Sequence, residues 1–212
     1  MKSRFFIFVF CFFCSFYSFA ENAKTENKTN SSTPNTGLNA VLQQLQKNKL
    51  LRSEFKQARH LKILSRPLLS EGRLSYFSGK GIIWEIQKPV KSKIIISQNK
   101  ITEINPGNAP VSRPNIGGIY TVLDALLNGN EIFINKNFAI DYSGSTEDWR
   151  IELTPKFAPL NKAFETIEMH GDHQIQRITL IDYNQDSTVI TLNTIQTEPQ
   201  SISSIEEAYF AN

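Results

Sequence analysis

The chain has 212 residues, of which 23 are Lys or Arg and 20 are Asp or Glu, so its formal net charge is only +3. This length is enough to bury one sizeable core. The near balance of charge, without a basic stripe, argues against a nucleic-acid-binding surface. The two cysteines, Cys11 and Cys14, both lie close to the N-terminus.

The first 20 residues have the pattern of a secretory signal peptide. Lys2 and Arg4 are basic, residues 5–13 form a short apolar run, and Ser18-Phe19-Ala20 ends the segment with small residues. The alternative is a membrane anchor, but the apolar run is shorter than the ~20 residues that a span requires. We therefore expect cleavage after Ala20. The mature chain would then contain no thiol for a disulfide, a thiolate metal site or a nucleophile.

The next segment, residues 21–36, is polar and of low complexity, which predicts a disordered leader before a folded domain at 37–212. The domain begins with apolar residues at helical spacing, which form one stripe on an amphipathic helix. These residues are Leu38, Val41, Leu42 and Leu45.

After this helix the apolar period changes to two, which is typical of half-buried strands. Short breaks at Gly79-Lys80-Gly81 and Lys88-Pro89 predict tight connections between neighbouring strands. The predicted strands of this half cover residues 51–59, 72–78, 82–87, 91–97 and 101–105.

The middle of the chain differs, because residues 105–118 contain three Pro and three Gly and read as a loop. A helix is predicted over 119–130, with Gly129 as its C-cap. Alternating strands then return at 138–144, 148–156, 163–171, 173–182 and 187–196. The pattern predicts a mainly β (α+β) fold, in which an antiparallel sheet of about ten or eleven strands curls around its apolar face.

Sequence motifs for catalysis are absent. The chain has no Gly-x-Ser-x-Gly elbow, no phosphate-binding glycine loop and no dinucleotide fingerprint. His170, Asp172 and His173 could be imagined as metal ligands, but a polar hairpin tip is the favoured interpretation. We therefore predict no cofactor and no enzymatic activity, and keep a secreted hydrolase or metal enzyme as a minor hypothesis.

The strand "IIWEIQ" carries the main functional signal. Ile82, Trp84 and Ile86 fall on one side of it and, together with Leu74 and Tyr76, form a large apolar surface. Such residues are either core or the lining of a ligand site. A long curled sheet has more inner surface than two short helices can cover, which favours an apolar groove suited to acyl chains.

Several segments in this order resemble the LolA-like periplasmic carriers, whose main representative shuttles lipoproteins to the outer membrane. They are "SEFKQ" (53–57), "EGRL" (71–74), "IIWEIQKP" (82–89) and "DWRIELTPK" (148–156). The resemblance implies an incomplete β-barrel closed by an N-terminal helix and a central lid helix. It also implies a monomeric, non-catalytic carrier in the periplasm, which takes lipoproteins or lipid acyl chains from inner-membrane export machinery to an outer-membrane acceptor.

Matching these segments to the family, and adding same-face neighbours, gives twelve predicted groove residues. They are Leu45, Phe55, Leu74, Tyr76, Ile82, Trp84, Ile86, Ile94, Ile96, Val122, Leu123 and Leu126. One departure concerns the hairpin before the Trp strand. The main carrier has an Arg-Pro pair there, whose Arg helps to hold the lid shut, whereas this chain has Ser78 and Gly79.

A second hypothesis places a different function on the same fold. The protein would be an envelope binding or sensor module that carries no cargo. Its partner surface would come from the 21–36 leader or from the C-terminal residues 201–212.

Overall fold

A computed structural model of the chain describes residues 36–115, 118–158, 160–196 and 201–211. The predicted signal peptide, its two cysteines and the predicted leader up to residue 35 lie outside these ranges. Thr36, predicted to be the last leader residue, is instead the first residue of a helix. Among the described residues, no helix combines the length and hydropathy that crossing a membrane would require.

The first half of the domain contains one helix and six strands. The helix buries the predicted stripe of four apolar residues. The sixth strand lies inside the segment that the sequence predicted to be a loop, so that prediction was wrong for residues 111–114. The elements are α1 (Thr36–Leu45), β1 (Leu50–His60), β2 (Leu68–Phe77), β3 (Gly81–Lys88), β4 (Ser92–Ser97), β5 (Lys100–Ile104) and β6 (Val111–Pro114).

Two helices connect the halves of the sheet, α2 (Ile119–Leu127) and α3 (Glu131–Asn137). The predicted helix ends at Leu127, and Gly129 with its positive φ of 62° reverses the chain. A side chain at Gly129 would collide with the backbone of Leu42, so α1 packs directly against this turn. Asn130 then caps α3, which the sequence did not predict, by accepting a hydrogen bond from the Phe133 amide.

The second half contains five strands and two short helices. The strands agree with the predicted segments, whereas the two helices were not predicted. The elements are β7 (Phe138–Gly144), β8 (Trp149–Pro155), α4 (Leu160–Ala163), β9 (Thr166–Gly171), β10 (Ile175–Ile181), β11 (Ser187–Gln196) and α5 (Ser204–Phe210). The described ranges therefore hold five helices, not the two that the sequence indicated.

The eleven described strands belong to one antiparallel sheet in the order β6-β5-β4-β3-β2-β1-β11-β10-β9-β8-β7. Each half is a meander, and the pairing of β1 with β11 joins the two halves. The sheet curls, but β6 and β7 remain as its edges, so the barrel is not closed. The prediction of an incomplete, curled antiparallel barrel is confirmed.

The two faces of the sheet are covered differently. The inner face forms the main core with residues of α1, α2, α3 and α4, such as Leu42, Leu126, Ile134 and Leu160. On the outer face, α5 covers a smaller cluster around Ile83. Because side chains alternate along a strand, Ile82 and Ile83 belong to these two separate cores.

Candidate functional site: an apolar cavity under the central helix

A cavity of about 180 Å³ lies in the inner core, between the sheet and helices α2 and α4. Of the 25 described residues that line it, 21 are apolar. An apolar cavity of ~150 Å³ is large enough to hold a small hydrocarbon such as benzene. The cavity can therefore accept part of an apolar ligand, and its attraction for that ligand depends on buried area rather than on directed polar contacts.

Strand register assembles one wall of the cavity. Leu74 lies opposite Trp84, and Trp84 lies opposite Ile94. In the neighbouring row Ile82 lies opposite Ile96. Directly opposed residues point to the same side of an antiparallel sheet, so both rows face inward.

The structure places nine of the twelve predicted groove residues around this cavity, and α2 supplies three of the nine. These nine are Leu74, Ile82, Trp84, Ile86, Ile94, Ile96, Val122, Leu123 and Leu126.

The remaining three predicted residues are buried but are not in the lining. Leu45 packs against the turn at Gly129. Phe55 lies behind Trp84, with 4.4 Å between the ring centroids. Tyr76 is fully buried and its hydroxyl reaches the central helix. Phe55 therefore supports Trp84 of the lining. Leu45 contacts the turn that follows helix α2, and Tyr76 contacts the helix itself, so both support a helix that lines the cavity.

The sequence reasoning missed the wall contributed by the second half of the chain. Ile178 lies opposite Ile190, and Leu180 lies opposite Ile167. All four line the cavity, with Leu160 and Phe164 beside them. The alternation of Ile178 and Leu180 was visible in the sequence. Its inward direction was not, because it depends on the pairing of β1 with β11.

The cavity opens to solvent at one end of the sheet. Leu69, which is 66% exposed, and Val90, which is 57% exposed, are both in the lining. Leu69 lies at the start of β2, and Val90 lies in the connection between β3 and β4. The two strand ends are neighbours, because β2 and β3 are antiparallel, so they form the mouth of the cavity.

The central helix α2 is attached to the β2–β3 hairpin through Asp124. Its Oδ1 accepts hydrogen bonds from the Tyr76 hydroxyl at 2.8 Å, the Tyr120 hydroxyl at 3.1 Å and the Gly79 amide at 3.3 Å. Burial, and also the Asp124 carboxylate, raise the pKa of both tyrosines well above the ordinary value. Both therefore remain protonated donors. The hairpin therefore contributes a backbone amide from Gly79, the second of the two residues that stand here in place of the Arg-Pro pair.

The last helix, α5, packs on the outer face of the sheet. Arg52 forms a salt bridge of 2.8 Å with Glu206, and Lys80 forms one of 2.8 Å with Glu207. The Phe210 ring meets the Phe77 ring with 5.7 Å between centroids. The C-terminal residues that were proposed as a partner surface therefore cover an apolar patch of the protein's own sheet.

These ion pairs change the pKa of both glutamates. Partial burial alone would raise the pKa of Glu206, but hydrogen bonds from Arg52 and Ser203 outweigh it, and the pKa is lowered. The hydrogen bond from Lys80 lowers the pKa of Glu207. Attachment of α5 therefore favours the ionised carboxylates.

The histidines do not converge on a site. His170 lies on β9 with its Nε2 3.7 Å from Glu168, and His173 is exposed at the following turn. Within the described ranges, no group of three or more His, Cys, Asp or Glu residues is arranged to hold a metal ion.

A curled antiparallel sheet that encloses an apolar cavity is an architecture used to hold apolar ligands. The sequence profile of the outer membrane lipoprotein carrier protein LolA-like family matches residues 31–194, so the chain belongs to that family. No individually curated protein sequence matches the chain significantly.

Solved structures with a similar fold include a LolA superfamily protein from Nitrosomonas europaea, with a TM-score of 0.47, 8% identity, and coverage of 84% of this chain and 98% of that one. A second is a putative outer membrane lipoprotein-sorting protein domain from Vibrio parahaemolyticus, with a TM-score of 0.42 and 9% identity. The alignment covers 82% of this chain and 98% of that one. A third is the MucA/MucB complex from Pseudomonas aeruginosa, with a TM-score of 0.43 and 9% identity. The alignment covers 80% of this chain and 60% of the matched chain. These similarities are too distant to inform the site.

Proposed function

We propose that the protein is a non-catalytic periplasmic carrier, which binds acyl chains of lipoproteins or lipids in the cavity and moves them towards the outer membrane. The observation that carries this proposal is a cavity with an almost wholly apolar lining that opens to solvent between Leu69 and Val90. Membership of the LolA-like family and the predicted signal peptide are consistent with it.

The physical character of the site suits transfer. An apolar contact holds a chain by area, at about 25 cal/mol per Å². It contains few directed bonds that must be broken when the cargo leaves. A carrier needs this moderate hold, since it both accepts its cargo from the export machinery of the inner membrane and gives it to an acceptor in the outer membrane.

Helix α2 is the proposed lid. The cavity of about 180 Å³ is smaller than the ~300–1,000 Å³ of most small-molecule pockets. A complete acyl chain therefore requires the cavity to widen. Helix α2 supplies Val122, Leu123 and Leu126 to the lining. The hydrogen bonds that the Asp124 carboxylate accepts attach this helix to the sheet. Displacement of this helix is the proposed route to a wider cavity.

The proposal is tested with two substitutions on the same helix. Leu123→Glu places a carboxylate in the apolar lining, whereas Thr121→Glu places the same charge on an exposed position. Binding is followed with a fluorescent fatty-acyl probe. We expect Leu123→Glu to weaken probe binding at least tenfold, because burying a charge costs well over ~1.4 kcal/mol. Thr121→Glu should change the binding affinity by no more than about twofold, because it substitutes an exposed residue outside the lining.

Cargo is identified by mass spectrometry of organic extracts, after purification without detergent from the native periplasm. A stoichiometric acylated species supports the carrier and gives its cargo class. Protein that is recovered empty, and that also fails to bind the probe, would contradict the carrier. The hypothesis of an envelope binding or sensor module would then replace it.

A further inference from the structure

Four polar residues interrupt the apolar lining of the cavity. They are Gln57 and Arg59 of β1, Ser70 of β2 and Thr188 of β11. The part of the lining that the structure describes contains neither Asp nor Glu. Among the described lining residues, Arg59 is the only one that carries a charge. It is half-buried, and burying a charge is costly unless it has a partner.

The strand register brings these four residues together. Gln57 lies directly opposite Ser70, and Arg59 lies directly opposite Thr188. Gln57 and Arg59 are two residues apart on one strand, so they share a face. Arg59 also lies opposite Leu68, the first residue of β2. The four residues therefore form one polar cluster at the end of the sheet where the cavity opens.

Two groups of the cluster have no partner among the described residues. The Ser70 hydroxyl oxygen is buried and makes no hydrogen bond to any described residue. In the described part of the chain, the Arg59 guanidinium makes neither a hydrogen bond nor an ion pair. A buried unsatisfied hydroxyl costs ~1–3 kcal/mol, so a ligand that offers acceptor oxygens at this point gains more than apolar contact.

We infer that this cluster binds the anionic head, a carboxylate or a phosphate, of an amphiphile whose apolar chain occupies the cavity. The inference rests on the proposed function and adds the polarity and orientation of the ligand. A guanidinium donates two parallel hydrogen bonds to either oxyanion. Gln57, Ser70 and Thr188 supply neutral donors beside it, and no carboxylate of the lining opposes the negative charge.

The first experiment compares ligands of one chain length and three head groups: hexadecanoic acid, hexadecyl phosphate and hexadecanol. Each competes with a neutral fluorescent acyl probe for the wild-type mature protein. We expect at least one of the two anions to bind about tenfold or more tightly than the alcohol, as a charge-assisted hydrogen bond predicts. The tighter of the two anions then identifies a carboxylate or a phosphate as the natural head.

The second experiment changes the cation. Arg59→Gln should abolish the preference, so that neither anion binds more tightly to this variant than hexadecanol does. Arg59→Lys should retain part of the preference, because it keeps the charge without the planar fork. The control is Arg177→Gln, which removes the same group from an exposed position outside the cavity and should retain the full preference.

The outcomes separate the two proposals. Equal binding of all three ligands by the wild-type protein overturns the head-group inference and leaves the acyl carrier standing. Persistence of the anion preference in Arg59→Gln also overturns the head-group inference. An equal loss of acid and alcohol binding in this variant overturns it as well, because it would indicate that Arg59 has a structural role. Failure of the wild-type protein to bind any of the three contradicts the proposed function, and this inference with it.

Discussion

Removing the Asp124 carboxylate tests the attachment of the central helix most directly. In Asp124→Ala the hydroxyl of Tyr76, a fully buried residue, loses its acceptor at 2.8 Å. A hydrogen bond to a charged group contributes ~1.5–3 kcal/mol, and its loss leaves a buried donor unsatisfied. The contacts from Tyr120 at 3.1 Å and from the Gly79 amide at 3.3 Å are lost as well. We expect the free energy of unfolding to fall by about 2–3 kcal/mol, and Tm by about 5–10 °C.

The assay is a double-mutant cycle with Tyr76→Phe, read by thermal or urea unfolding. The coupling energy between the two positions should be at least about 1 kcal/mol, since the residues are in direct contact. Hydrogen exchange of α2 should accelerate in both single variants. The control is Asp148→Ala, which removes an exposed carboxylate and should change stability by less than about 0.5 kcal/mol.

Two results would refute this reasoning. A coupling energy near zero would mean that Tyr76 and Asp124 do not act together. Unchanged hydrogen exchange of α2 would mean that the apolar contacts of the helix hold it without the carboxylate.

Two further predictions concern the outer helix and the support of the cavity wall. The lowered pKa values of Glu206 and Glu207 stabilise α5 above the ordinary carboxyl pKa of 4.5, and this stabilisation is lost as pH falls through the lower folded values. The protection factors of residues 204–210 against hydrogen exchange, which correct for the intrinsic pH dependence of the exchange rate, should therefore fall below about pH 4. Protection factors that do not change with pH would contradict this prediction. Phe55→Ala should lower the free energy of unfolding by ~3–5 kcal/mol and remove the packing around Trp84, which should shift the Trp84 fluorescence to the red. The control is Phe138→Ala, which removes an equally buried ring away from Trp84. It should cost as much stability without shifting the fluorescence.

Much of the fold follows from local patterns. Alternation located the segments that became ten of the eleven strands, and the stripe of α1 is buried as its spacing indicated. The elements that were missed have weak local signals. β6 is four residues long and contains Pro114, and its partner β5 provides the hydrogen bonds that the local sequence does not suggest. Helices α3, α4 and α5 are seven residues or fewer, which is too short for a clear apolar period.

In the candidate site, too, the residues on neighbouring strands could be predicted, whereas those that depend on pairing between distant strands could not. Rows such as Leu74, Trp84 and Ile94 come from neighbouring strands joined by short connections, so their shared face can be deduced from the sequence. The polar cluster depends instead on Arg59 lying opposite Thr188, a pairing between the first and the last strand. A shift of one residue in that register would turn every side chain of β11 to the other face. Register between distant strands is not encoded in any local pattern.

The pairing of β1 with β11 also has a consequence for how the protein folds. Each meander can form from successive hairpins, in which partners are close along the chain. The contact between Phe55 and Leu192, by contrast, closes a loop that includes most of the domain, and such contacts are slow to form because the chain loses entropy before it gains contacts. The cavity has two walls, one from each meander, so it does not exist in either half alone. Binding competence should therefore appear in a single late step of refolding, after most of the secondary structure is in place.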